Sequence, residues 1–374
     1  MKKAFCLIFC LLIIPFNALG FSAERYCVID KDTGRIFLSS RENEKAGMAS
    51  TTKIMTALVA LENSSPDEIV TVSKKASYTE GSSLYLKEGE TIKMIDLVYG
   101  LMLNSGNDAA VAIAEHISGN EEDFALLMTE TAHKIGAKNT NFINPNGLSD
   151  ENHYTTAYDL ALITAEALKN KDFAEIVKTK SRTCNTVNTN RTLYFTNHNR
   201  LLNSLEGCTG VKTGFTKATG RCLVSSVEKN GFGAICVTLN APDDWNDHKQ
   251  MFDFVFDNFS KTNIIKKGSV VKSYQTEAKE NGGVLDLVIE DDVDIVTKPT
   301  DKVFMDITSL PDKISLPVKK GDSLGDAQFF LNDQLVMTKK LVSWQNLNKP
   351  EISDEETLGK RFFEIFKIWV GIFN

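Results

Sequence analysis

The pattern of apolar residues changes near Lys261, and this change divides the chain into two parts that need different folds. Before it, helical and extended periodicities alternate along the chain. After it, short segments near period two are separated by turn residues at 281–283 and 320–322. A chain of 374 residues is long enough for two domains of about 100–200 residues each. We therefore predict a larger mixed domain over 24–261 and a small β-sandwich domain over 262–347.

Extended segments lie at both ends of the larger part and enclose a run of helices. The predicted strands are 26–30 and 35–39, joined by an Asp-Thr-Gly turn, and then 223–227 and 233–239. The predicted helices are 50–63, 97–103, 108–117, 123–135 and 157–169. This order predicts an α/β (α+β) sandwich in which a mostly antiparallel sheet is flanked by helices.

The first 23 residues have the three-part pattern of an export signal. Lys2 and Lys3 precede an unbroken apolar run at 4–14, and small residues follow it. The run is short for a membrane span, which needs about 20 apolar residues. We predict that the chain is exported and that the signal is cleaved after Ala23, with Gly20 as the alternative site.

The last segment, 348–374, reads as a linker followed by an amphipathic helix from Ser353. Its apolar face is formed by Phe362, Ile365, Phe366, Trp369, Ile372 and Phe373. Lys360, Glu364 and Lys367 lie on the opposite face, so the helix is too charged to span a bilayer. We predict that it lies in the plane of a membrane surface. Docking on its own domain is the alternative.

Charge and metal-ligating residues exclude other classes of protein. The net charge of −7 gives no basic surface for nucleic acid. Five cysteines remain after the export signal. Their odd number and irregular spacing do not indicate a disulfide framework, although formation of one disulfide is still an alternative. The five histidines include no H-E-x-x-H motif. We expect neither a metal nor a cofactor.

The first of three short motifs is Ser50-Thr51-Thr52-Lys53, at the start of a predicted helix. Positions i and i+3 share a helix face, so the Lys53 amine can reach the Ser50 hydroxyl. A serine needs a base to become a nucleophile, and a lysine is a base only when burial or a nearby cation lowers its pKa. Alone, the motif is common, and a helix cap with a solvated lysine is the simpler interpretation.

The second motif is Ser105-Gly106-Asn107, at a break between two helices, and the third is Lys212-Thr213-Gly214 in an extended segment. A hydroxyl and an amide on a tight turn suit a proton relay and an amide-binding group. The glycine of the third motif lets a ligand lie along the strand, and its lysine supplies a second positive charge. An ordinary loop explains the second motif equally well when it is taken alone.

The three motifs in this order are far more specific than any one of them, and they are typical of serine β-lactamases and penicillin-binding proteins. The chain most closely resembles the serine D-alanyl-D-alanine carboxypeptidases, which are low-molecular-mass penicillin-binding proteins. The resemblance extends over nearly the whole mature chain and includes the segments 84–90, 99–103, 144–148, 153–157 and 214–222. It implies the β-lactamase and penicillin-binding transpeptidase fold, and an enzyme on the outer face of the cytoplasmic membrane or in the cell wall space.

The resemblance also implies a role for each motif residue. Ser50 attacks the carbonyl between the two terminal D-alanines of a peptidoglycan stem peptide, or the ring of a β-lactam antibiotic. Lys53 accepts its proton. Ser105, with Lys212, passes a proton to the leaving D-alanine, and Asn107 hydrogen-bonds the substrate amide. Water then hydrolyses the acyl-enzyme.

Substrate binding is implied for the strand that carries the third motif. Thr213 contacts the terminal carboxylate, Gly214 lets the peptide approach, and the Phe215 N–H forms the oxyanion hole with the N–H of the nucleophile. Family members often have an arginine shortly before this motif, but here His198 takes that place and Arg200 is displaced. We therefore expect carboxylate binding to depend more on the third motif, and expect Arg200→Ala to leave activity nearly intact.

Four alternatives stay open. A β-lactamase needs fast deacylation, for which the candidate Glu166 lies inside a predicted helix. An endopeptidase acting on cross-links would use the same residues. A strict transpeptidase usually has a large extra domain. A wall-binding module with a degenerate site is the non-enzymatic alternative, although all three motifs are intact.

Overall fold

The computed structural model describes residues 20–350, which form two compact units that meet in the sequence between Phe256 and Asp257. The predicted terminal helix, and all but the last four residues of the predicted export signal, lie outside the described residues. Among residues 20–350, none of the helices combines the length and the apolar character that crossing a membrane requires.

The first unit alternates strands and helices. Its strands are, in chain order, β1 (Arg25–Asp30), β2 (Ile36–Ser40), β3 (Ile69–Thr71), β4 (Thr91–Lys93), β5 (Ser181–Asn185), β6 (Thr192–Thr196), β7 (Cys208–Thr216), β8 (Gly220–Lys229) and β9 (Phe232–Leu239). Its helices are α1 (Lys53–Asn63), α2 (Lys74–Ser77), α3 (Met94–Leu103), α4 (Asn107–Ser118), α5 (Glu121–Ile135), α6 (Ala157–Lys169), α7 (Lys171–Lys178), α8 (Leu201–Ser204) and α9 (Asp244–Asn258).

The main sheet has the strand order β2-β1-β9-β8-β7, and every neighbouring pair is antiparallel. The central strand β9 is buried at each of its residues, which explains its nearly continuous apolar sequence. Strand β7, which carries the third motif, is the last in this order and pairs only with β8 within the sheet. No other strand of the described residues pairs with the second side of the motif strand.

Helix α1 is the central helix of the first unit. Its first eight residues, from Lys53 to Ala60, are all buried, as expected for a helix that is covered on every side. It contacts the helices α3, α4, α5, α6 and α7. This position places the lysine of the first motif inside the protein, where an ammonium group is costly.

Over residues 259–350, the second unit is all-β apart from a single 3₁₀ turn at Glu280–Gly283. Its strands are β10 (Ser260–Ile265), β11 (Val270–Gln275), β12 (Val284–Ile289), β13 (Val293–Thr297), β14 (Val303–Thr308), β15 (Ser323–Leu331) and β16 (Gln334–Ser343). They form a five-stranded sheet in the order β11-β12-β16-β15-β14 and a two-stranded sheet of β10 and β13. Apolar residues of both sheets share one core.

The predicted fold class is confirmed: helices flank an antiparallel sheet in the first unit, and the second unit is a small all-β unit. The predicted helix 157–169 coincides with α6, and the first hairpin is correct to within one residue. Helix α9 was not predicted, because its buried face includes Asp244, Asp247 and His248, and these polar residues weaken the apolar periodicity. The five cysteines of the described region are free thiols.

Candidate active site

Ser50 lies in a 3₁₀ turn, Ala49–Thr52, that leads directly into α1. The sequence predicted a regular helix from Ser50, so the first turn is tighter than expected. Ala49 has a φ of 47°, a left-handed conformation that costs a residue with a Cβ roughly 1–2 kcal/mol. Gly214 of β7 packs against this turn, and a Cβ there would lie 3.0 Å from the Ser50 nitrogen. The third motif needs glycine at this point because β7 runs so close to the nucleophile.

Lys53 faces Ser50 from one helical turn further along. Its Nζ donates to Ser50 Oγ at 3.1 Å, to Asn107 Oδ1 at 2.7 Å and to the Asn146 carbonyl at 2.6 Å. The side chain is completely buried. Burial lowers the pKa of Lys53 well below its usual range, and the nearby charge of Lys212 lowers the pKa further, although Asp108 opposes this. The surroundings of Lys53 thus favour its neutral form, and its amine lies within hydrogen-bond distance of a serine hydroxyl.

The second motif forms the connection between α3 and α4. Ser105 has a φ of 61°, and its Oγ is buried with no hydrogen-bond partner in the described residues. Besides accepting from the Lys53 amine, Asn107 donates from Nδ2 to the Glu80 carbonyl at 2.5 Å. The hydroxyl of Ser105 is thus available to a ligand, whereas the Asn107 amide is already engaged on both sides and keeps one N–H.

The third motif lies along β7. Lys212 is almost fully buried, and its Nζ donates to the Thr213 carbonyl at 2.9 Å. Burial lowers the pKa of Lys212 to about 7. Phe215 lines the cleft and is 63% exposed.

The predicted residues surround one cleft. A cavity of about 350 Å³ is lined by Ser50, Ser82, Ser105, His198, Arg200, Thr213, Gly214, Phe215, Arg221, Asp244 and Trp245. Lys53, Asn107 and Lys212 lie beneath this surface, consistent with their burial. His198 is exposed by its accessible surface, and desolvation together with the charge of Lys212 lowers its pKa. Arg200 lines the same cleft.

Two models of known protein families match this chain. Residues 16–243 match the family model described as D-alanyl-D-alanine carboxypeptidase. The chain belongs to the D-alanyl-D-alanine carboxypeptidase family. Residues 259–349 match a second model, the C-terminal domain of penicillin-binding protein 5.

Individual relatives agree with this family. The chain is 32% identical over 344 residues to the D-alanyl-D-alanine carboxypeptidase DacF of Bacillus subtilis, a match that covers 89% of this chain and 88% of DacF. The structure of penicillin binding protein 5 from Haemophilus influenzae is similar at a TM-score of 0.70 and 26% identity, covering 88% of this chain and 98% of that one. DacD from Francisella tularensis is similar at a TM-score of 0.65 and 26% identity, covering 89% and 95%. The chain is a serine-type D-alanyl-D-alanine carboxypeptidase, as the sequence predicted.

The structure adds residues of this carboxypeptidase that the motifs did not reveal. His153 accepts from the Ile143 N–H at 3.1 Å through Nδ1, and its Nε2 lies 2.8 Å from Thr52 Oγ1. Thr52 in turn donates to the Ala49 carbonyl at 2.8 Å. Burial lowers the pKa of His153 to about 4, so the imidazole is neutral and Nε2 is the donor. This chain of hydrogen bonds holds the turn that carries Ser50.

Two other expectations concern groups outside the cleft. Glu166, the candidate deacylating group of a β-lactamase, lies in α6 and pairs with Lys169 at 2.7 Å. It is absent from the residues that line the cleft. Over residues 20–350, no cluster of three or more histidine, cysteine or acidic side chains could hold a metal ion.

Proposed function

We propose that Ser50 is the nucleophile of this carboxypeptidase and that Lys53 is its general base. The observation that carries the proposal is the contact of 3.1 Å between a buried lysine amine and the serine hydroxyl. Burial favours the neutral amine, whose two N–H groups suffice for Asn107 Oδ1 and the Asn146 carbonyl and whose lone pair is then left for the Ser50 hydroxyl. Lys53 can therefore take the hydroxyl proton as Ser50 attacks the carbonyl between the terminal D-alanines. The product is an acyl-enzyme, which water hydrolyses.

The leaving D-alanine needs a proton, and Ser105 is the proposed relay. Its buried hydroxyl has no other hydrogen-bond partner in the described part of the chain, which is unusual unless a ligand supplies one. We infer that it passes a proton from Lys212 to the amine that leaves. The backbone N–H groups of Ser50 and Phe215 are the proposed oxyanion hole, and the free N–H of Asn107 is proposed to bind the substrate amide.

The proposal is tested by treating the protein with a pentapeptide stem that ends in D-alanyl-D-alanine and weighing the products. Loss of one alanine is the expected result. A second sample is treated with penicillin and digested with trypsin, which releases residues 46–53 as one peptide that contains Ser50. We expect the penicillin adduct on this peptide. An adduct on a different peptide would contradict the assignment of the nucleophile.

The pH dependence of the reaction follows from the two lysines. Catalysis needs neutral Lys53 and charged Lys212, so kcat/KM is expected to rise with pH as the first loses its proton and to fall as the second does. In the free enzyme the fall is expected near the Lys212 pKa of about 7. A bound substrate carboxylate stabilises the ammonium form, so the fall in kcat lies at higher pH than the fall in kcat/KM. Alkaline limbs at the same pH in both profiles would contradict a charged Lys212 beside the carboxylate.

Within the export signal, we propose cleavage after Gly20 rather than after Ala23. The Ser22 and Ala23 N–H groups each donate to the Asp247 carboxylate at 2.9 Å, and Ser22 Oγ donates to it at 2.7 Å. Phe21 packs edge-on against Tyr26, with ring centroids 5.2 Å apart. Cleavage after Ala23 would leave the buried Asp247 carboxylate without these three donors, which is costly. N-terminal sequencing of the exported protein is expected to begin at Phe21, and a start at residue 24 would contradict this.

We propose further that the exported enzyme works beside the membrane, on stem peptides in the cell wall space. The support is the amphipathic sequence from Ser353, whose apolar face suits insertion into a lipid surface. The full chain is expected to sediment with lipid vesicles, and a chain that ends at Pro350 is expected to stay in the supernatant. Equal sedimentation of the two chains would contradict the proposal.

A further inference from the structure

The first turn of α9 forms part of the lining of the active-site cleft. Asp244 and Trp245 of this turn line the cleft together with Arg221 of β8, and we call these three residues the cleft wall. Asp244 is buried and accepts from the Arg221 side chain and from the Trp245 N–H, each at 2.9 Å. One set of contacts that fixes the turn thus lies within the cleft wall itself.

A second set of contacts comes from residues that lie more than 220 positions earlier in the chain. The Ser22 and Ala23 N–H groups and the Ser22 hydroxyl donate to the Asp247 carboxylate. Ser22 Oγ in turn accepts from the Asp243 N–H at 2.9 Å. Ser22 thereby joins the residues on either side of the cleft-wall positions 244 and 245. Asp247 is only 2% exposed, and a buried carboxylate without donors is costly, so the contact is held firmly.

The first turn of α9 and the pair Ser50 and Lys53 are held by separate contacts. Within residues 20–350, the side chains of this pair hydrogen-bond to each other, to Asn107 and to the Asn146 carbonyl. Over the same residues, none of these groups takes part in the contacts of the cleft wall or of Asp247. A displaced cleft wall would therefore change how a substrate is bound while Ser50 and Lys53 stay in place. Such a change raises KM and leaves kcat nearly unchanged.

We propose that Asp247, held by Ser22 and Ala23, is a positioning residue that keeps the cleft wall where a substrate binds. The site at which the export signal is cleaved then sets how well the enzyme binds its peptide, because a chain without residues 21–23 lacks the donors to Asp247. The proposal rests on the proposed function, since it concerns the cleft that contains Ser50.

The test compares KM and kcat for diacetyl-L-lysyl-D-alanyl-D-alanine. In Asp247→Asn, either orientation of the amide places its nitrogen against a backbone N–H of Ser22 or Ala23. We expect KM to rise about tenfold, the cost of about one hydrogen bond, and kcat to change less than about twofold. KM does not depend on how much of a variant is folded. A fall in kcat at an unchanged KM would therefore show a purely structural role and overturn the proposal.

Asp253→Asn is the matched variant, because it makes the same chemical change at an exposed position of the same helix. It is expected to change neither KM nor kcat by more than about twofold. If Asp253→Asn raised KM as much as Asp247→Asn does, the loss of a negative charge on α9 would explain the effect, and the proposal would fail.

A chain that begins at Glu24 removes the same contact from its other side. Its KM is expected to rise as in Asp247→Asn, and Asp247→Asn in this shorter chain is expected to add nothing, because both changes break one contact. Ser22→Ala removes the hydroxyl and keeps both N–H groups, so its KM is expected to lie between those of the wild type and Asp247→Asn. An unchanged KM in the shorter chain, or effects that add, would overturn the proposal.

The fluorescence of Trp245 gives a readout that does not depend on catalysis. The chain has three tryptophans, so Trp344→Phe with Trp369→Phe leaves Trp245 alone. In this background Asp247→Asn is expected to shift the emission to longer wavelength, because a released turn exposes the indole to water, whereas Asp253→Asn is not. A rise in KM without this shift would mean that the cleft wall has not moved, and the proposal would fail.

Penicillin separates this proposal from the carboxypeptidase assignment. Asp247→Asn is expected to need a higher penicillin concentration than the wild type for the same rate of acylation, measured by mass. If the wild type releases no alanine from the peptide but shows this difference with penicillin, the carboxypeptidase assignment fails and the role of Asp247 stands. If the wild type releases alanine and Asp247→Asn matches it with both compounds, the role of Asp247 fails alone.

Discussion

Neither Ser50→Ala nor Lys53→Met is expected to form a penicillin acyl-enzyme at a useful rate. Without the serine hydroxyl no acyl bond can form at this position. Without the lysine the hydroxyl keeps its proton, and the loss of a general base is expected to slow acylation about a thousandfold. Because the two residues act as one unit, the double variant is expected to be no slower than the slower single variant. Acylation is measured by mass after timed exposure to penicillin.

The matched control for Lys53→Met is Lys45→Met, which removes an exposed lysine eight residues earlier in the chain. This variant is expected to acylate like the wild type. Thermal unfolding of both variants checks that they are folded, because Lys53→Met leaves Asn107 Oδ1 and the Asn146 carbonyl without their donor. A folded Lys53→Met protein that keeps more than about a tenth of the wild-type acylation rate would contradict the role of Lys53 as base.

The contacts that could be predicted from the sequence are those that depend on residue type and local spacing. The amine of Lys53 reaches Ser50 because i and i+3 share a helix face, and this remains true although the first turn is 3₁₀. The predicted effect of Lys212 on the pKa of Lys53 is also found, but burial is the larger cause. Burial could not be estimated from the motif, because it depends on the helices that surround α1.

Contacts between residues far apart in the chain had no local signal. Asp244, at the start of α9, accepts a hydrogen bond from Arg221, which lies on β8. Likewise, His153 holds the Ala49–Thr52 turn across 101 positions of sequence. In the sequence, His153 belongs to a segment that resembles the family but has no local feature that indicates its role. Such pairs follow from topology and not from spacing, so a single sequence could not have predicted them.

Substitution of Gly147 by alanine is expected to reduce carboxypeptidase activity about 100-fold, although Gly147 carries no reactive group. A Cβ at this position would overlap the carbonyl oxygen of Ala49 and approach the Ser50 nitrogen to 3.0 Å. The preceding carbonyl, that of Asn146, accepts from Lys53. The substitution therefore pushes apart the segments that hold the nucleophile and its base, and misplacement by about 1 Å costs roughly this factor in rate.

Gly119→Ala provides a control with the same backbone strain. Gly147 and Gly119 have φ values of 89° and 81°, so alanine costs both positions roughly 1–2 kcal/mol of stability. At Gly119, the cap of α4, a Cβ would meet no atom within 4 Å. We therefore expect similar losses of thermal stability in the two variants and a loss of acylation only in Gly147→Ala. If Gly147→Ala and Gly119→Ala were equally stable and were acylated at equal rates, the turn around Ser50 would tolerate displacement. Close contact between Gly147 and Ala49 would then have no part in placing the nucleophile.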